Sequence, residues 1–440
     1  DGTTPRCTQV YAVVDYTLPS ITISGTSNLS SGTVAVAVNN TLQTGKTGTI
    51  SGGSWSITGV TQPSTGDIIT VWVDGAEDAN ESTCVTKYDG SGDLINMVLN
   101  QHVLSIGTTG AETDQSLTVT NLGQYDNDDD EDIMHSANSS VLNVDDDNAY
   151  TDEKIDVLSG DTLTIGGTET LTSHDIAING TLTSGGAGTF NVSGSWDNNN
   201  DFNASSETIN FTSTTTETID STGATDSDVY NVVFNGSGGQ WTLTTALTVN
   251  NNVTTTNGTV VGTQNLTVSG GSITGTNGSI SFSGGTTTLS GTGNLGPTGT
   301  GTYTFSNLTL SGTTTAAGNF TVSSVLTIST SYSLDASNKT ITLSGSGTPF
   351  VINGTFTYST STVAYTGSSD TNVTSTTYYN LNIGSSSTTT TYTAAGDITV
   401  TNVLTIVSST GTNTFDASNK TITLSGSGTP FVINATEVFT

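Results

Sequence analysis

Basic residues are what this chain most conspicuously lacks. Six Lys and Arg stand against 38 Asp and Glu, a formal net charge of -32 over 440 residues. A surface of that sign repels nucleic acid and anionic lipid, so neither is expected as a partner. Cysteine is nearly absent: Cys7 and Cys84 are the only two. Proline numbers 6, too few for a Pro-rich linker or stalk. No stretch of 18 apolar residues occurs, so no transmembrane helix and no membrane insertion are expected. No secretory leader is visible, and the first residue is Asp1 rather than Met. The simplest reading is a mature chain whose targeting segment has been removed. Catalytic constellations are missing as well. His102, His135 and His174 are far apart, none has a metal-type partner at short spacing, and no G-x-S-x-G elbow accompanies them.

Hydrophobic residues make up only 32% of the chain, which together with the charge is a signature of disorder. The order of the residues argues otherwise. Thr and Ser fill about a third of the positions, and Thr alternates with Val, Leu and Ile in segments such as TITLSG, LTVSG and FTVSSVLTI. Period-two alternation broken by Gly and Asn reads as short β-strands joined by turns. A strand with one buried face needs apolar residues at only every second position. The expected class is therefore all-β.

A repeat organises the second half. DASNKTITLSGSGTPFVIN occupies residues 335–353 and recurs without change at 416–434, an offset of 416 - 335 = 81 residues. A second marker reaches further back. Tyr230-Asn231-Val232-Val233-Phe234, Ser306-Asn307-Leu308-Thr309-Leu310 and Tyr379-Asn380-Leu381-Asn382-Ile383 start 76 and 73 residues apart. Repetition at this scale marks stacked units, each burying its apolar face against its neighbours. A unit of about 75 residues should hold about three coils of two or three strands, at about 4.8 Å per coil. Roughly 280 residues would then form a rod about 55–60 Å long.

Four segments follow from texture. Residues 1–20 contain the apolar run Val10-Tyr11-Ala12-Val13-Val14 and read as one strand without a local hairpin partner. Residues 21–107 alternate strand and turn signals at regular intervals, as in a small β-sandwich. Residues 108–160 carry the acidic runs 126–132 and 145–147 and read as an acidic linker or as the first coils. Residues 161–440 are the repetitive β-solenoid.

Two resemblances accompany this division. Gly53-Ser54-Trp55-Ser56-Ile57, Gly66-Asp67 and Val71-Trp72-Val73-Asp74-Gly75 resemble bacterial Ig-like or carboxypeptidase-regulatory-like β-domains of large surface proteins. The Thr/Asn/Gly-rich half resembles β-solenoid adhesins of the filamentous-haemagglutinin and autotransporter kind. The resemblance implies an extracellular, cell-surface protein whose role is structural or adhesive.

Candidate sites are few. Asp126, Asp128, Asp130 and Asp132, with Asp145 and Asp147, offer clustered oxygen ligands of the type calcium takes. The run lacks EF-hand spacing, because Glu131 stands where that loop needs Gly, and the alternative is a solvated acidic loop. A Cys7–Cys84 disulfide would close a loop of about 77 residues and contribute roughly 4–5 kcal/mol in the loop-entropy model. The alternative is two buried thiols. Asp335 and Asp416, at equal places in the repeat, read as turn residues. Trp196 and Trp241 are either sugar-stacking platforms or core. Asn191, Asn210, Asn265 and Asn307 lie in glycosylation sequons that high Thr content makes inevitable.

After the second copy of the repeat only ATEVFT follows. The expectation is an open last coil, with Phe431, Ile433 and Val438 at its edge. The strand bearing Val10, Ala12 and Val14 would then dock on it from a neighbouring copy by β-augmentation. The competing reading pairs that strand inside its own sandwich. The expected function is non-enzymatic: a head-to-tail structural subunit of an extracellular filament or surface layer. The alternatives are an adhesin for surface glycans or protein, and, third, a β-helical polysaccharide-acting enzyme.

Overall fold

A computed structural model describes residues 18–76, 80–110, 116–144, 152–223, 228–385, 389–407, 410–434 and 436–440. Strands such as Thr162–Ile165, Thr208–Phe211 and Thr340–Leu343 bury every second side chain and turn the others outward. One row of Leu, Ile or Phe per strand cannot close a core alone. It closes when the chain winds so that three such rows face one another.

That winding is the fold. Three strands make each turn, and each pairs in parallel with the equivalent strand one turn on. The first face begins with Val103–Ile106, Lys154–Val157, Asp175–Ile178 and Trp196–Asn198. The third face begins with Ser116–Thr118, Thr162–Ile165, Thr181–Ser184 and Asp201–Asn203. The second begins with Val141–Asn143, Thr170–Ser173, Thr189–Val192 and Thr208–Phe211. The chain visits the faces in the order first, third, second. The result is a β-solenoid of about 16 turns. At about 4.8 Å per turn its stack is roughly 75 Å long.

One hydrophobic cluster runs from Ile68 and Val85 through Leu163, Phe234 and Leu310 to Phe415. One section of it holds edge-to-face rings: Trp196 lies 5.0 Å from Phe202, and Phe190 lies 5.6 Å from Phe202. Corners are tight where coils touch. A Cβ on Gly236 would lie 1.7 Å from the Ser213 carbonyl oxygen, so only glycine fits there.

The N-terminal module is mainly antiparallel by contrast, with one parallel pair, Ser20–Ser27 beside Leu94–Leu99. Ser20–Ser27 pairs antiparallel with Ser54–Thr61, and Ser31–Val38 with Ile68–Asp74. Ile23, Trp55, Ile57, Val71 and Met97 form its own core. The module passes into the solenoid without a tether. Thr83–Lys87 pairs antiparallel with Ile68–Asp74 on one side and parallel with Val103–Ile106, the first rung, on the other.

Residues 116–144 include first rungs of two faces and a short helix, Val119–Leu122. Thr118 caps that helix through its hydroxyl, which accepts from Asn121 N. The acidic stretch then folds back over the module. Tyr125 lies 5.3 Å from Trp72, and Ile133 joins them with Ala35 and Ala37 in a small buried cluster.

One expectation changes, and another rests on a residue outside the described ones. No Cys7–Cys84 bridge is seen: Cys84 is a free thiol at mid-strand in the module core, and its Sγ donates to Gly107 O at 3.3 Å. Burial pushes that thiol up to about 12. Cys7 lies outside the described residues. The repeat also holds more than three coils. Between its two identical copies the chain advances eleven strand positions, counting as two each of the strands Thr377–Ile383 and Ile398–Ile406, which turn a corner. At three strands per turn that is three and two-thirds turns, so the rod is longer than the sequence spacing implied.

Candidate functional site

Three places could carry function: an acidic group at the module junction, a cleft on the first face, and the last described turn. The first draws on the acidic run. Asp126 is buried, and its two oxygens accept from Asp128 N at 3.1 Å and Ala137 N at 2.7 Å. It organises the loop from inside. Asp128 is exposed. Asp130 and Asp132 instead meet Asp74 of the module, with one carboxylate oxygen of each within 4.8 Å of the others. Desolvation pushes the Asp130 carboxyl up, against its hydrogen bond from Asp132 N, and the charges of Asp132, Asp74 and Glu131 add to the rise. Asp132 Oδ2 also accepts from Gly75 N at 2.7 Å, and Asp130 Oδ1 from Asp132 N at 3.2 Å. Asp130 and Asp132 each commit one oxygen to a backbone amide, which leaves the three carboxylates four oxygens, fewer than the six to eight calcium prefers. Asp145 and Asp147 lie outside the described residues. Asp74 was missed by sequence reasoning, because only the fold-back of the acidic loop brings it near.

The second place lies on the first face of the solenoid. Outward positions there stack Asp156, Ala177, Asp197 and Asp220 on successive turns. Ala177 is the small member. It floors a cleft of about 300 Å³ whose walls include Lys154, Asp175, Ser195, Asp197, Thr218 and Asp220. Burial would raise Asp175, but hydrogen bonds from His174 and from Ser195 N at 2.7 Å hold its carboxyl below the usual range. Asp156 behaves in the opposite way. Burial pushes it up, Asn179 Nδ2 at 2.8 Å and Lys154 pull it down, and Asp197 adds to the rise. The signal in the sequence was acidic residues recurring at one-turn spacing, which is legible only once the turn length is known.

The third place is the last described turn. Phe431 packs on Leu404, and the Phe439 ring lies tilted 5.6 Å from Phe415 and edge-on 5.5 Å from Phe431. Ile433, Val438 and Phe439 are 43%, 37% and 42% exposed. Val10, Ala12 and Val14, the expected counterpart strand, lie outside the described residues.

Other candidates prove structural. Trp196 and Trp241 are buried in the solenoid core. Asp335 Oδ1 and Asp416 Oδ1 each accept from a backbone amide two residues on, Ser337 N and Ser418 N, both at 2.8 Å. Those serines hold left-handed φ values of 51° and 52°, which an Asx-type contact helps an L-residue adopt. Asn191 and Asn210 stack in a side-chain ladder, Nδ2 of Asn210 donating to Oδ1 of Asn191 at 3.0 Å. His135 is buried, with Nε2 3.2 Å from Leu122 O, and desolvation lowers its pKa.

No family model matches the chain, and searches of curated proteins and of solved structures return no match.

Proposed function

We propose that this chain is the structural rod of an extracellular filament or surface layer, joined end to end by strand pairing. The observation that carries this reading is the unbroken stack from Val103 to Phe439, clothed on its outer faces mainly in Thr, Ser and Asn. Such a body supplies length and stiffness from backbone ladders, with no reacting group required. The exposed edge formed by Ile433, Val438 and Phe439 is the one end-to-end pairing would use, whether the neighbour is a second copy or further turns of the same polypeptide. At the opposite end the first rung already pairs with the module, so residues 1–20 are the donor that a neighbour would offer. Negative-stain imaging tests this. Purified protein should form filaments or sheets, and a variant lacking residues 1–20 should remain as dispersed rods. Filaments from the truncated variant would refute strand donation.

A second reading is an adhesin that displays an Ig-like module on the rod. The cleft around Ala177 favours it, because carboxylates beside Ser and Thr hydroxyls suit the hydroxyl groups of a glycan. Glycan-array binding that is lost in Asp197→Ala, with the melt unchanged, would support this second reading over the first.

A further inference from the structure

The identical copies of the sequence repeat do not stack on one another. Ser333–Asp335 lies on the second face, Thr340–Leu343 on the first and Phe350–Ile352 on the third. In the later copy Asn413–Asp416 lies on the third face, Ile422–Leu424 on the second and Phe431–Ile433 on the first. Every strand has moved by one face. The second marker behaves identically: residues 231–234 lie on the second face, Asn307–Leu310 on the third and residues 380–383 on the first. Eleven strand positions separate each copy from the next, and eleven is one short of four full turns.

What is preserved is the neighbour. Leu266 sits over Leu247 on the third face, Ile341 over Phe320 on the first and Ile422 over Ile398 on the second. The lower strands read LTV, FTV and ITV, and the upper ones LTV, ITL and ITL. Likewise Phe350 sits over Leu326 of one LTI strand on the third face, and Phe431 over Leu404 of another on the first. The contacts that close the core thus recur with their own partners while the face changes.

We infer that the solenoid is built of eleven-strand cassettes, each turned by one face relative to the last, so that the three faces are interchangeable and the outer surface of a cassette is presented in three directions around the rod. The corner that carries Lys339 in one copy and Lys420 in the next therefore points away from two different sides. At about 4.8 Å per turn, successive presentations are about 18 Å apart along the axis.

Two internal deletions test the inference. Removing residues 335–415 joins Leu334 to Asp416, recreates the native sequence at the junction and shifts later strands by one face. Removing residues 334–397 joins Ser333 to Ile398, keeps the face because both lie on the second, and breaks the neighbour pairs. The 335–415 deletion should melt cooperatively and above the 334–397 deletion. Thr321→Cys with Thr423→Cys reports the face directly, by oxidation and peptide mapping. In the 335–415 deletion Thr423 takes the place of Thr342 beside Thr321, within disulfide reach, and the bridge should form. In the full chain Thr423 instead pairs with Thr399, so Thr399→Cys with Thr423→Cys should bridge and Thr321→Cys with Thr423→Cys should not. A 335–415 deletion that fails to fold, that melts below the other, or that folds without the Thr321–Thr423 bridge would overturn the cassette scheme.

Discussion

The N-terminal module and the solenoid solve the same burial problem with different sequence economies. In the module, Ile68–Asp74 buries six consecutive residues, because one side meets the module core and the other meets Tyr125 and Ile133 at Trp72 and the solenoid core at Ile68. In the solenoid, strands such as Thr189–Val192 bury two of four, and the outward pair faces solvent. The first kind reads as an apolar run, the second as strict alternation. The difference explains how a chain with 32% hydrophobic residues keeps a continuous core: the longer region needs half the apolar residues per strand.

The largest effect that should separate the two regions is loss of a ladder bond. Thr309 sits mid-ladder between Thr288 and Thr327, so Thr309→Pro should cost about 3 kcal/mol or more by denaturant melts. If the solenoid unfolds in blocks, the module's Trp55 and Trp72 fluorescence should lag behind the main transition. Coincident transitions would show that the fused sheet couples the two regions fully.

Truncating the core comes next. Phe234→Ala, between Phe211 and Trp241, should cost about 3–5 kcal/mol by the same assay. Trp72→Ala should be similar in size but should also loosen the acidic loop, seen as faster amide exchange in residues 125–133.

The two regions should also part in pH. Four solenoid tyrosines, Tyr303, Tyr365, Tyr378 and Tyr392, are buried. Desolvation, only partly offset by hydrogen bonds, raises Tyr303 and Tyr392 each to about 12. A raised folded pKa gives stability that is full below the unfolded value and lost as pH climbs towards about 12. The module's Cys84 begins to lose its share at about 9 and the solenoid's Tyr303 and Tyr392 at about 10, so an alkaline melt should begin in the module. His135, at the junction, is lowered by burial. The stability it contributes is present above the unfolded value of about 6.5 and declines as pH falls below it. His135→Gln should flatten that acid limb. An unchanged limb would place the acid sensitivity elsewhere.

Smallest of all should be changes on the outward faces. Thr327→Ser should stay within about 0.5 kcal/mol of the parent, because Thr327 faces outward beside buried Leu326 and Ile328.

The all-β class and the strand positions were legible in the sequence because alternation is local: Thr-Ile-Thr-Leu at 340–343 states which residues go inward. The closeness of Asp74 to Asp130 was not legible, since a fold-back over Trp72 creates it. Nor was the fate of the repeat. Identity between 335–353 and 416–434 reports which strands are copies, but the face each occupies depends on strands per turn, a property of the winding.

Small-angle X-ray scattering of the intact chain tests the central claim most directly. A module fused to a single stack predicts one stiff elongated particle, whose pair-distance curve peaks at the rod cross-section and falls off in a long straight tail. Two resolved maxima, as from globular bodies joined by a loose connection, would contradict it.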